Sequence, residues 1–280
     1  MSSHPLVEVF GFPINDFSEE AERHRRKKLC PYHNKVSFCT KDKANEPLGV
    51  CTISYEDQRL AITCPVRFRQ DWIILEKAAD FFFESGLKWT MFQEIRLKDK
   101  SGRSAGNIDF VLVAYDANGQ VHDFGALEVQ AVYISGNIRR PFEYYMANPE
   151  AHQDMVWKSG NIRPDYLSSS RKRLIPQVTI KGGILKAWGK KMGIVLHENF
   201  YSTLPQLPKV EPEEADIAWF IYGLDFNDQT KRYQLAHRQT VYTSFEPALK
   251  KITTPSPGNM EEFIAQLQER LDEKLDNMVG

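Results

Sequence analysis

Several things are scarce in this chain, and each scarcity removes a class of answers. No apolar run among its 280 residues approaches bilayer-spanning length, which argues against a helical membrane protein. Net charge is −1, from 36 Lys and Arg against 37 Asp and Glu, so the bulk charge indicates no particular partner. There is no G-x-S-x-G, no P-loop and no H-E-x-x-H, and Gly182-Gly183 lacks the surroundings of a nucleotide loop. Cysteine stops at residue 64. The first twenty residues lack the basic and apolar regions of a secretory signal, so a cytoplasmic protein is expected. Disulfides are disfavoured there, which leaves the four cysteines for a metal or for simple burial. Internal repeats and low-complexity tracts are lacking too.

What is present suits a globular protein able to bury a large core: 42% hydrophobic and 26% charged residues. The charge is unevenly spread. Acid gathers at 211–216 and 261–276; base gathers at 23–28, 139–140, 171–173 and 181–191. A neutral total can thus hide a basic cleft. Residues 1–66 read as loop-rich, and 71–83 as a helix with Asp71 near its start. Strands are expected at 89–97, 107–113, 124–132, 193–196, 217–224 and 233–244, and helices at 137–146, 168–192 and 260–278. The 203–214 segment, rich in Pro and Glu, reads as a surface loop. Helices flanking a mixed central sheet make this an α/β layered fold.

The chemistry lies on two neighbouring strands. Asn107-Ile108-Asp109-Phe110-Val111 is followed, after a turn containing Asp116, Asn118 and Gly119, by Ala126-Leu127-Glu128-Val129-Gln130. Strand side chains alternate between faces, so Glu128 and Gln130 share one side while Leu127 and Val129 take the other. A hairpin would bring Asp109 to Glu128. Converging carboxylates form a hard-oxygen site suited to Mg²⁺, which activates water and neutralises phosphate charge. The bland alternative makes both acids exposed strand residues. Their apolar neighbours weigh against it, because burying unpaired carboxylates is costly. Glu94, on the preceding strand, adds a third carboxylate for which an exposed strand position serves equally well.

Cys30, Cys39, Cys51 and Cys64 lie within 35 residues in a segment with few apolar side chains. They lack the C-x2-C knuckle of ordinary zinc sites, yet a loop-rich segment needs a staple, and a closed tetrathiolate supplies one. Zinc and iron both fit such a site. His33 reads as a loop residue; His152 and His197 read as structural. Arg171, Lys172, Arg173, Lys181, Lys186, Lys190 and Lys191 read by themselves as a solvated helix face. Beside a carboxylate site they, with Arg139 and Arg140, become contacts to DNA phosphates or bases, since a polyanion must approach a cluster of acids.

These residues carry a resemblance to the NotI family of type II restriction endonucleases. It rests on Cys30-Pro31, Gly49-Val50-Cys51, Cys64-Pro65-Val66-Arg67, Phe92-Gln93-Glu94, Ile108-Asp109-Phe110 and Gly125-Ala126-Leu127-Glu128-Val129-Gln130, with weaker echoes at Gly189-Lys190-Lys191 and Ala218-Trp219-Phe220-Ile221. The resemblance implies a PD-(D/E)xK nuclease core with Gln in place of the usual Lys. It also implies a small four-cysteine domain holding iron, dividing the chain at 1–66 and 67–280. Asp109 and Glu128 then become Mg²⁺ ligands, Gln130 the residue beside the attacking water, Glu94 an outer or second-metal ligand, and the four cysteines the iron ligands. The family cuts G·C-only palindromes; a palindrome calls for a homodimer on double-stranded DNA, with the Val129 carbonyl completing each Mg²⁺ site. Two rivals stay open: a non-catalytic, metal-stapled DNA-binding protein, and a repair or recombination nuclease of the same fold.

Overall fold

A computed structural model describes residues 4–33, 37–43, 45–157 and 162–279. Its centre is a six-stranded mixed sheet of β7 (Lys88–Lys98), β8 (Ser104–Tyr115), β9 (Val121–Gln130), β12 (Met192–His197), β13 (Ile217–Asn227) and β14 (Arg232–Thr243), in the order β14-β13-β12-β9-β8-β7. The intervening β10 (Tyr133–Ser135) and β11 (Arg163–Asp165) form a separate antiparallel pair. β12 runs parallel to both β9 and β13; the other pairs are antiparallel. All six residues of β12 and the first eight of β13 are buried. That is why Met192-Gly-Ile-Val-Leu and Ile217-Ala-Trp-Phe-Ile read as unbroken apolar runs, as central parallel strands covered on both faces do.

Helices cover both faces. α2 (Ile73–Phe82) lies on one, its Ala78, Phe81 and Phe82 packing with Leu127, Val129 and Phe220 of the sheet. The other is covered by a helical run over residues 166–187 and by the helix Phe245–Thr253, through Leu174, Val178, Leu185 and Phe245 against Ile194 and Trp219. Two π-helical stretches, Ser170–Leu174 and Val178–Gly182, interrupt the 166–187 run. The mixed sheet flanked by helices is the α/β architecture expected.

The loop-rich character expected of residues 1–66 gives way to regular structure. β1 (Leu6–Val9), β2 (Phe12–Pro13), β5 (Val50–Tyr55) and β6 (Arg59–Ile62) form a four-stranded sheet in the order β2-β1-β5-β6. α1 (Glu19–Lys27) stands beside it, and β3 (Asp42–Lys43) pairs with β4 (Glu46–Pro47). α1 has ordinary signals: the Ser18 hydroxyl accepts from the Ala21 N–H, acids fill the first turn and bases the last. These strands give little sequence signal because they are short, and β1 is buried throughout, so Leu6-Val-Glu-Val shows no exposed alternate position. Leu6, Val9, Val50 and Ile53 belong to the same apolar cluster as Ile194 and Trp219 of the large sheet. The start of α2 also differs, because Asp71 and Trp72 adopt left-handed backbone and the helix begins only at Ile73.

Candidate active site

The β8–β9 hairpin turns where expected, with Asp116 Oδ1 accepting from the N–H groups of Asn118 and Gln120. Its ladder runs from Tyr115 opposite Val121 to Phe110 opposite Leu127 and stops there. One residue further along, the Asp109 side chain takes over: Oδ2 accepts from the Val129 N–H at 2.8 Å. Asp109 is thereby pinned to the backbone between Glu128 and Gln130. Those two side chains, two residues apart on β9, are each 1% exposed. Leu127 and Val129 face α2, as alternation requires.

The opposite helical layer reaches into this spot. Lys181 Nζ donates to Glu128 Oε1 at 2.7 Å and to the Asn107 carbonyl at 2.5 Å. Gln177, one helical turn earlier, accepts from Gln130 Nε2. Glu128 Oε2 and Gln130 Oε1 are buried and, among the described residues, have no hydrogen-bond partner. Burial pushes the Glu128 carboxyl up to about 8, the nearby charge of Asp109 adds to this, and Lys181 opposes it. Burial raises Asp109 as well, against the Val129 N–H and the cations Lys181, Arg173 and Arg69. The site is short of positive charge.

Glu94 joins from β7. Gln93 pairs with Phe110 and Ile95 with Ile108, so Glu94 lies across from Asp109 between them. It is exposed, and its φ of 54° puts a non-glycine residue in left-handed backbone inside a strand. Arg69, whose guanidinium lies over the Phe110 ring, feels both Asp109 and Glu94. The structure therefore brings Asp109, Glu128 and Gln130 together, with Glu94 opposite Asp109.

A family model described as restriction endonuclease NotI matches residues 9–235. The chain belongs to the NotI restriction endonuclease family. No curated protein matches it. Membership makes the chain a nuclease that cleaves double-stranded DNA site-specifically. The match spans the four cysteines, all three candidate carboxylates and the 166–187 helical run, and ends within β14.

The carboxylate site of this endonuclease suits Mg²⁺ by its donors. Mg²⁺ commonly takes one or two carboxylates and keeps several waters. Here a buried Glu128 and a half-buried Asp109 repel each other, and an oxygen of Glu128 stays unpartnered among the described residues. Among the described residues no group of three or more His, Cys, Asp or Glu side chains is gathered for a metal.

In the N-terminal segment, Cys39, Cys51 and Cys64 are buried and Cys30 is half-buried; all four are free thiols. Burial drives the Cys30 thiol up to about 12, with Cys64 and Cys39 adding to the shift. Cys51 is raised by burial first, then by Cys64, Glu8, Cys30 and Cys39. The thiols share one electrostatic neighbourhood. Lys41 stands in it, with Nζ donating to the Val50 carbonyl and Thr63 Oγ1. Sulfur donors suit a soft or borderline metal, but the four thiols, like the carboxylates, are not gathered into a metal-binding group of three or more among the described residues.

The basic residues separate. Arg139 is engaged inside the molecule, ion-paired to Asp42 Oδ2 at 2.6 Å and near Glu143. Arg140, Arg171 and Lys172 are exposed, and Arg173 lies over the Tyr133 ring. Lys181 leaves the solvated face to which its sequence neighbours assigned it: it is 5% exposed and touches Glu128. Lys181 and Gln177 are the site residues that sequence reasoning missed. The one available signal was Gly182-Gly183, small residues marking a helix packed close to something.

Proposed function

We propose that the chain is a Mg²⁺-dependent type II restriction endonuclease, of PD-(D/E)xK type, that hydrolyses double-stranded DNA as a homodimer at a palindromic, G·C-rich site in the cytoplasm. The observation that carries this reading is that Asp109, where the β8–β9 ladder ends, is held on the Val129 N–H beside a buried Glu128 that keeps an unpartnered oxygen.

Asp109, Glu128 and the Val129 carbonyl would hold the ion. When bound, Mg²⁺ lowers the pKa of a coordinated water and offsets charge on the phosphate. The protein supplies orientation. The Val129 N–H fixes the Asp109 carboxylate, and Gln177 fixes the Gln130 amide by accepting from its Nε2. Gln130 Oε1 is then free to accept from the attacking water. An amide does not titrate near neutrality, so Gln130 orients the water and removes no proton. The water oxygen bonds to phosphorus, the P–O bond in line with it breaks, and the water proton passes to an oxygen of the DNA or to solvent. Glu94 serves as an outer ligand. Arg140, Arg171, Lys172 and Arg173 contact DNA, with Arg139 bracing the adjoining segment. Cys30, Cys39, Cys51 and Cys64 would hold iron, or alternatively zinc, if drawn together, in a structural module over residues 1–66 that precedes the nuclease domain, 67–280.

Digestion of a sequenced phage genome in Mg²⁺, followed by sequencing of the ends, is expected to give discrete fragments sharing one palindrome. Asp109→Ala and Glu128→Ala are each expected to abolish cutting while leaving specific DNA retention measurable in Ca²⁺. A smear, or full activity in both variants, would refute the assignment.

A further inference from the structure

Two carboxylates and one neutral amide make up the β-strand side of the site, and the nearest ammonium comes from far along the chain. Lys181 Nζ lies 2.7 Å from Glu128 Oε1, with side-chain exposures of 6% and 1%. An ammonium has three N–H groups. The Asn107 carbonyl takes one and Glu128 another.

The surroundings are shaped for this side chain. Gly106 on β8 has φ +100°, and a Cβ there would come within 3.3 Å of Lys181 Cε. A larger residue at 106 would crowd the lysine stem where it crosses the strand. On the helix, a Cβ on Gly182 would come within 2.9 Å of Phe245 Cε2 and 3.3 Å of Met192 Sδ. The helix is therefore seated tightly on Phe245 and Met192 at the residue next to Lys181, which fixes where the ammonium falls.

We propose that Lys181 is the resident cation of the carboxylate site, a positioning residue that acts through Glu128. It holds Glu128 Oε1 in the DNA-free enzyme, competes with a divalent ion for that carboxylate, and keeps the side chain aimed at the reacting phosphate. This rests on the carboxylates being the cleavage site, and it extends that site to a helix on the other layer of the fold. The register of the 166–187 helix against β8 and β9 then becomes part of the active-site geometry.

The test uses the full-length protein and two readouts: single-turnover cleavage of phage DNA in Mg²⁺, and calorimetric titration of the DNA-free protein with Ca²⁺. Lys181→Met is expected to slow cleavage by about 10- to 100-fold, the size of effect typical for loss of a partner that orients a metal ligand. The same variant is expected to bind Ca²⁺ at least about threefold more tightly, since a competing cation has been removed from the acids. Moving the amine onto β9 in the double variant Gln130→Lys/Lys181→Met is expected to recover at least about tenfold of the lost rate, which mere repair of packing would not do. If Lys181→Met does not fold, as judged by circular dichroism, Lys181→Gln takes its place with the same expectations. Wild-type cleavage or unchanged Ca²⁺ affinity in the folded variant overturns the proposal. Wild-type cutting with an inactive Asp109→Ala keeps the cleavage-site reading intact whatever the Lys181 variants do. A wild-type protein that does not cut removes that reading, and the Ca²⁺ titration still decides whether Lys181 competes for Glu128.

Discussion

Asp109 makes a bond and a conflict at the same time. Its Oδ2 anchors to the Val129 N–H, while its charge raises the pKa of Glu128. Asparagine at 109 keeps an acceptor for that N–H and removes the repulsion. Asp109→Asn is therefore expected to lose cleavage and to gain roughly 1 kcal/mol of metal-free stability near pH 8, read by urea unfolding in EDTA. A loss of stability would mean that Lys181 and the nearby arginines already balance both carboxylates. At this scale Asp109, Glu128 and Gln130 were legible because alternation and apolar neighbours placed them on a covered face. Lys181 was not, because 53 residues separate it from Glu128 and a lysine among lysines on a helix reads as solvated.

Elements end where polar side chains take over from the ladder. β12 stops at His197, whose Nδ1 accepts the Asn199 N–H at the start of the Glu198–Tyr201 turn. The ring is 3% exposed, and burial, with Arg238 and Arg67 adding, lowers its pKa to about 4. A folded-state value below the unfolded 6.5 means that the unfolded chain binds the proton more readily. The neutral imidazole's contribution is whole above pH 6.5 and is lost as the pH falls from 6.5 towards 4. The size is about 3 kcal/mol. His197→Asn, which can still cap the turn, is expected to show a stability profile flatter by about that amount across the window, measured by urea unfolding at stepped pH. An unchanged slope would place the acid sensitivity elsewhere.

Across the whole molecule, the small N-terminal sheet is tied to the large one through a buried ion pair. Arg67 Nε donates to Glu8 Oε2 at 2.8 Å with both side chains fully covered. Thr52 donates to the same oxygen. The Arg67 guanidinium also donates to Gln70 and to the Tyr233 carbonyl on β14. One side chain thus links β1, the turn before α2, and the far edge strand. Arg67→Met leaves Glu8 buried without its partner and is expected to cost about 3–5 kcal/mol, read by urea unfolding. The double variant Glu8→Gln/Arg67→Met is expected to recover part of that loss, because the stranded charge is then gone. If both variants unfold alike, the arginine's packing outweighs its charge.

The chain's own pattern determined the large sheet, the hairpin and the facing of its acids, since a two-residue period and apolar continuity are local properties that burial imposes directly. Only the tertiary structure decided that residues 1–66 contain a separate sheet sharing an apolar cluster with the large one, that Arg139 is held by Asp42, and that Lys181 rests on Glu128. Those outcomes depend on how layers distant in sequence come to rest against one another. Close contacts between helix and sheet, such as those at Gly106 and Gly182, set that seating, and no local period encodes it.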